Sequence, residues 1–142
     1  MNQISQQELH HLITISTGFI DAYMIQCYNK PSMLIPQNIV LSAIDSSTHV
    51  DYVEWHETKL PVYALHSPEK TLGVALVIEG DEDQERFVLM CDEMPQSLRL
   101  RISEVIDDNQ EIKDPLIFQY VKVGEDIFHI PHMKNIQAEM KL

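Results

Sequence analysis

Seven histidines are the first residues to weigh for chemistry. A metal centre needs three or four His, Cys, Asp or Glu side chains converging on one point. His10 and His11 are adjacent, and adjacent residues do not share a helix face. His129-Ile130-Pro131-His132 spaces two imidazoles closely enough to begin a small metal-dependent enzyme site, with nearby acids completing it, but Pro131 interrupts the pair and the spacing fixes no third ligand. His49, His56 and His66 are scattered. The paired carboxylates are Asp92-Glu93, Asp107-Asp108 and Glu125-Asp126. An acid–base pair needs both carboxyls on one cleft in unlike environments. Neighbours on a strand point to opposite faces, which disfavours Asp92-Glu93. The other two pairs fall in turn-like, solvated stretches. Cys27 and Cys91 lie far apart inside apolar runs with no CxxC pairing, the pattern of two reduced, buried thiols. The sequence holds no GxSxG, HExxH, GxGxxG or GxxxxGK[ST]. No catalytic residue, cofactor or metal ligand set is assigned on these residues.

Charge narrows the partners. Ten basic and 22 acidic side chains in 142 residues leave a net charge of −12. Phosphate backbones and anionic membranes select basic surfaces, so nucleic-acid binding and membrane-surface binding are disfavoured. Arg99 and Arg101 are the only close basic pair on one face of an element. Between residues 79 and 93 stand seven acids and one base, Arg86, half of the chain's net charge. That window reads as a solubilising hairpin tip or as a surface that steers a basic partner. No apolar run approaches the roughly 20 residues of a membrane helix. The absence of Lys and Arg before Lys30 argues against a secretory leader, so the expected compartment is the cytoplasm.

The elements that position these residues are mostly short strands. Residues 1–20 read as an extension: Ser5-Gln6-Gln7-Glu8 fits a capping box, Leu9, Leu12 and Ile13 follow helical spacing, and Gly18 can close a helix over about 6–17. That helix would pack on its own domain or dock on a partner. Residues 21–142 form one domain. Ala22 to Tyr28, Met33-Leu34-Ile35 and Ile39 to Ile44 are strand-like, separated by Asn29-Lys30-Pro31-Ser32 and closed by the loop Asp45-Ser46-Ser47-Thr48. Pro61, inside Leu60 to Leu65, suggests an edge strand or a strand start. Leu72 to Ile78 and Phe87 to Cys91 read as a hairpin with a long acidic loop. Leu98, Leu100 and Ile102 alternate with Arg99 and Arg101, the pattern of a half-buried strand. Residues 119–123 and 127–131 form a last hairpin, and His132 to Met140 a terminal helix. Eight to ten short strands with few helices predict an all-β barrel or sandwich.

The order of these segments resembles the CheW-like domain of chemotaxis coupling proteins and their histidine kinases. The resemblance runs over about residues 22–136. It rests on Ala22 to Tyr28 followed by Met33-Leu34-Ile35-Pro36, on Ile39-Val40-Leu41, and on Tyr52-Val53-Glu54-Trp55-His56-Glu57-Thr58-Lys59-Leu60-Pro61-Val62-Tyr63. Met90-Cys91-Asp92-Glu93-Met94, the strand from Leu98 to Val105 and the segment Phe118 to Ile136 continue it. The short form looks most like the auxiliary ChpC-type proteins of type IV pilus (twitching motility) signalling. Where the family carries an Asn-Leu-Arg-Gly-like turn, this chain has His56 for the Arg and Glu57 for the Gly. Leu41-Ser42-Ala43 occupies the place where an acidic residue often follows the Val-rich segment.

The resemblance implies two SH3-like five-stranded β-barrels sharing a hydrophobic core, with short N- and C-terminal helices. It implies a non-catalytic adaptor that binds a CheA-type histidine kinase and a chemoreceptor (a methyl-accepting chemotaxis protein). The kinase would be held through one barrel and the receptor tip through the groove between barrels. Trp55, the only tryptophan, lies in the divergent turn, and tryptophan is enriched at interface hot spots. Val53, Trp55, His56 and Lys59 are therefore the expected partner-binding residues.

Overall fold

A computed structural model describes residues 18–80 and 85–140; the expected N-terminal helix lies outside the described residues. The described chain forms eleven strands and one α-helix: β1 (Phe19–Cys27), β2 (Lys30–Pro36), β3 (Val40–Ser47), β4 (Tyr52–Trp55), β5 (Thr58–Ala64), β6 (Leu72–Ile78), β7 (Phe87–Cys91), β8 (Gln96–Arg101), β9 (Val105–Asp108), β10 (Ile117–Val123), β11 (Asp126–Pro131) and α1 (Met133–Glu139).

Tight turns set the hairpins. Asn29, a residue that tolerates the left-handed region, has φ 65° and lets β1 return as β2. Gly124, φ 63°, is the first central residue of the two-residue turn between β10 and β11, where a II′ turn requires glycine. The turn therefore starts one residue earlier than the Asn29–Ser32 cluster suggests, because Lys30 already pairs with Cys27.

The strands assemble into two sheets. One has six strands in the order β8-β1-β2-β11-β10-β9, the other five in the order β3-β6-β7-β5-β4. The middle of the chain, β3 to β7, builds the second sheet, and the two ends together build the first. Each sheet is antiparallel except for one parallel pair, β2 with β11 and β5 with β7. The mostly-β expectation holds at this level, with six strands rather than five in the first sheet, because the chain makes the short β9 after a 3-10 turn at Ile102–Glu104.

Three local expectations are corrected. Asp107-Asp108 lie in strand β9, paired with Val121 and Tyr120, rather than in a turn-like stretch. Asp45-Ser46-Ser47 is strand rather than loop: these residues pair with Val74, Gly73 and Leu72. β3 is an edge strand whose residues alternate half-buried and exposed, so polar side chains are accommodated on its open face. Pro61 is not in an edge strand. β5 pairs with β4 through residues 58–61 and with β7 through 62–64, so the missing N–H falls where one ladder hands over to the other.

Three apolar clusters follow from period-two alternation. Leu76, Ile78, Phe87, Leu89 and Cys91 face Ile25, Met33 and Ile35 of the first sheet and Ile136 of α1. Ala75, Val77, Val88 and Met90 point the other way, against Val53 and Leu60 of the β4–β5 hairpin. Ala22, Leu34, Val121 and Phe128 fill the far side of the first sheet. All five residues of β7 are buried, because this strand is the wall between two clusters. In the first sheet, Leu98 and Leu100 of edge strand β8 and Val105 of edge strand β9 pack on one cluster, so the sheet curls until its edges face a common core. Gly73 stands where a β-carbon would overlap the Cys91 carbonyl, so only glycine lets β6 approach β7 there.

Helix α1 closes the central cluster. Its N-terminus is capped by His132, whose Nδ1 accepts from the Asn135 N–H at 3.2 Å. Ile136 is buried in the core, and the Gln137 amide donates to the Glu85 carbonyl at 3.1 Å.

Candidate interaction surface

The β4–β5 hairpin places the expected partner-binding residues, and cross-strand register decides what each can do. The pairs are Val53 with Leu60, Glu54 with Lys59 and Trp55 with Thr58. Paired residues share a face and successive residues alternate. Val53 therefore points inward with Leu60 and is buried, which corrects its expected place at the surface. Lys59 stands beside Glu54 on the opposite, exposed face. The four residues do not form one patch.

Trp55 and His56 do come together. Trp55 is half-buried against the inner cluster, and its ring stacks on the His56 imidazole with centroids 4.0 Å apart at 21°. The Arg86 guanidinium lies 5.5 Å from the Trp55 ring centroid, a cation–π distance. Arg86 also donates from Nε to Glu79 at 2.9 Å. The lone base of the acidic 79–93 window is thus fastened to the tryptophan hairpin. Its isolation among seven acids was the sequence signal for Arg86; its pairing with Trp55, some thirty residues earlier in the chain, had none.

The turn carrying this group is strained. His56 has φ 48° and Glu57 φ 66°, so both central residues are left-handed, as a type I′ turn demands. Asn-Gly is the preferred pair there, and side chains with a β-carbon are disfavoured.

A second concavity lies where β7 leaves one sheet for β8 in the other. Met24, Gln26, Glu93, Met94 and Gln96 are among the residues lining a groove of about 180 Å³. Met94 is exposed at this groove. Asp92 sits in a loop rather than a strand, and its Oδ1 accepts the Ser67 N–H at 2.8 Å, which fixes the groove's rim.

The histidines have other duties. His129 is 1% exposed, and its Nδ1–H donates to the Pro31 carbonyl at 2.7 Å. His132 caps α1. His49 and His66, far apart in sequence, approach edge to face with centroids 5.1 Å apart. Among the described residues, no three His, Cys, Asp or Glu side chains are grouped to hold a metal ion. Both thiols are free; burial pushes the Cys27 thiol up to about 11 and raises Cys91 further, so neither is a thiolate near neutral pH. Among the described residues, no helix is long and apolar enough to cross a membrane.

His129 predicts a pH dependence. Burial lowers its pKa below the ordinary 6.5. Between the lowered folded value and 6.5 the unfolded chain binds the proton and the folded chain does not. Stability is therefore complete above pH 6.5 and falls as the pH drops through that window, by up to about 1.4 kcal/mol per pH unit. Urea unfolding between pH 7.5 and 5 reads this slope, and His129→Gln, which keeps a donor for Pro31, flattens it.

No known protein-family profile and no curated protein matches this chain.

Proposed function

We propose that the chain is a non-catalytic adaptor of the CheW-like kind, in which each sheet is a small SH3-like barrel and the central cluster is their shared core. In this reading it couples a chemoreceptor to a CheA-type histidine kinase, in pilus-linked (twitching) signalling, from the cytoplasm. The arrangement of the sheets supports it. The middle strands form one sheet, the two chain ends form the other, and a single apolar cluster joins them.

The observation that carries the reading is the β4–β5 turn. The resemblance sets a tight turn ending in glycine at this place. Here His56 and Glu57 hold the left-handed backbone without the glycine that relieves it. Strain of this kind persists where surrounding structure enforces it, and it concentrates at functional sites. The turn presents Trp55 and His56 as one stacked pair beside Arg86, an aromatic and cationic group suited to a hot spot. The groove at Met24 and Met94 sets two adaptable thioethers among Gln26, Asp92, Glu93 and Gln96, a mixed apolar and polar surface for a helical receptor tip. The replacement of the family's Arg by His56 implies partners altered from the usual ones. A metal-dependent enzyme built on His129 and His132 draws no support from the described residues, among which no three His, Cys, Asp or Glu side chains are grouped to hold a metal ion.

The test is binding of the purified chain to the regulatory domain of a CheA-type kinase and to the cytoplasmic tip of a chemoreceptor from the same cell. Binding to at least one is expected. Trp55→Ala should weaken it by about tenfold or more, within the range of a hot-spot truncation. A folded wild-type chain that captures neither protein rejects the adaptor reading. Unchanged affinity in a folded Trp55→Ala variant removes the hairpin tip from the interface.

A further inference from the structure

The first sheet ends on two strands that do not pair with one another. β8 and β9 lie at opposite ends of the strand order, linked only by the 3-10 turn Ile102–Glu104. Between them opens an apolar cavity of about 50 Å³, whose lining includes Ile20, Leu34, Leu100, Val105 and Ile130. It has room for the end of one aliphatic side chain. Ile20, Leu100, Val105 and Ile130 are only half-buried, so the mouth is open to solvent.

Among the described residues, no strand pairs with the outer edge of β8, on the same side. The Ile102 N–H donates to the Gly18 carbonyl at 2.8 Å, and the register runs Arg101 with Phe19, Leu100 with Ile20 and Arg99 with Asp21. In an antiparallel pair hydrogen-bonded residues alternate. The N–H and C=O groups of Ser97, Arg99 and Arg101 therefore point away from β1, toward the free edge. The side chains of Arg99 and Arg101 are 68% and 62% exposed on the outer face. Both guanidiniums lie over Phe19, at 5.0 and 5.1 Å, and each makes one loose ion pair, Arg99 with Asp21 at 3.7 Å and Arg101 with Glu104 at 3.8 Å. Leu98 and Leu100 face the apolar side.

We propose that the free edge of β8 receives an extended segment of another protein as an added strand, one in which acidic and apolar residues alternate. Residues opposite Arg99 and Arg101 share their face, so acids there meet the two guanidiniums. A residue opposite Leu100 points toward the cavity between β8 and β9, and one opposite Leu98 shares the same apolar side. Main-chain hydrogen bonds supply affinity and the two faces supply selectivity, the general mode of strand addition. A second copy of this chain is the poorer occupant, because β8 paired antiparallel with itself sets arginine beside arginine. This inference is independent of the hairpin and groove assigned to the adaptor reading.

The test uses the 142-residue chain, isotope-labelled, and a capped peptide of about seven residues alternating Glu and Val, the length of an ordinary strand. A Lys–Val peptide of equal length is the control. Amide shifts centred on Ser97, Arg99 and Arg101 are expected with the Glu–Val peptide alone. Arg99→Glu with Arg101→Glu should lower its affinity at least tenfold. Arg99→Pro, which deletes an outward N–H on an edge strand, should abolish binding. Where Arg99→Pro fails to fold, the charge-reversed pair decides. Equal binding of the Lys–Val peptide, no binding of the Glu–Val peptide, or self-association through β8 overturns the proposal. So do shifts confined to residues 1–17, which would place the peptide on that segment instead of on β8.

Discussion

Phe87→Ala is expected to remove about 3–5 kcal/mol of stability and Met90→Ala about 2–5 kcal/mol, each within a single unfolding transition. Phe87 and Met90 are fully buried on opposite faces of β7, Phe87 in the cluster between the sheets and Met90 in the cluster under the β4–β5 hairpin. Truncating either leaves a cavity that close packing cannot refill. A domain of this kind has about 5–15 kcal/mol in total, so either change removes a large share. Because one strand walls both clusters, neither can melt while the other stays intact. Trp55 packs on the Met90 side and reports that cluster by fluorescence, while far-UV circular dichroism reports all strands. In urea the two signals should coincide for the wild type and for both variants. Separate midpoints, or a Phe87→Ala variant whose Trp55 signal is unmoved, would show that β7 does not couple the two halves.

Replacing His56-Glu57 by Asn-Gly is expected to stabilise the fold by up to about 2 kcal/mol, because glycine removes the roughly 1–2 kcal/mol that a β-carbon costs in left-handed backbone at position 57 and asparagine is among the residues that tolerate that backbone at position 56. For a chain of this size that is a rise in Tm of up to about 6 °C. The gain arises in a turn with no buried side chain of its own, since His56 and Glu57 are exposed. The same change removes the imidazole stacked on Trp55. Under the adaptor reading, the stabilised variant should therefore bind its partner more weakly than the wild type. Calorimetry and a pull-down on one protein sample separate the two effects. A double variant less stable than the wild type would show that the turn is not strained. Higher stability with unchanged binding would show that His56 does not contact the partner.

Much of the local structure was legible from residue order. Leu72 to Ile78 and Phe87 to Cys91 announce themselves as a buried hairpin, being continuous apolar runs either side of an acidic turn. The Leu98–Arg101 alternation identifies β8 and its exposed arginines, and Pro131 followed by His132 marks where strand gives way to helix. Asp45-Ser46-Ser47 misled because an edge strand tolerates polar residues that composition assigns to loops. Pro61 misled because a proline can sit inside a sheet where the strand changes partners. At the candidate surface, the sequence singled out Trp55 and His56 but also Val53, and the face of a hairpin toward which a side chain points depends on what packs against it.

The sequence by itself determined which segments are extended, where the chain turns and how its charge is distributed, because these depend on neighbours one to four residues apart. Only the tertiary structure decided that β2 lies beside β11 and β5 beside β7, that Arg86 reaches Trp55, and that β8 stands at the end of its sheet among the described strands. Those contacts join residues tens of positions apart. They are selected by the burial of whole faces at once, and no short window of residues contains both partners.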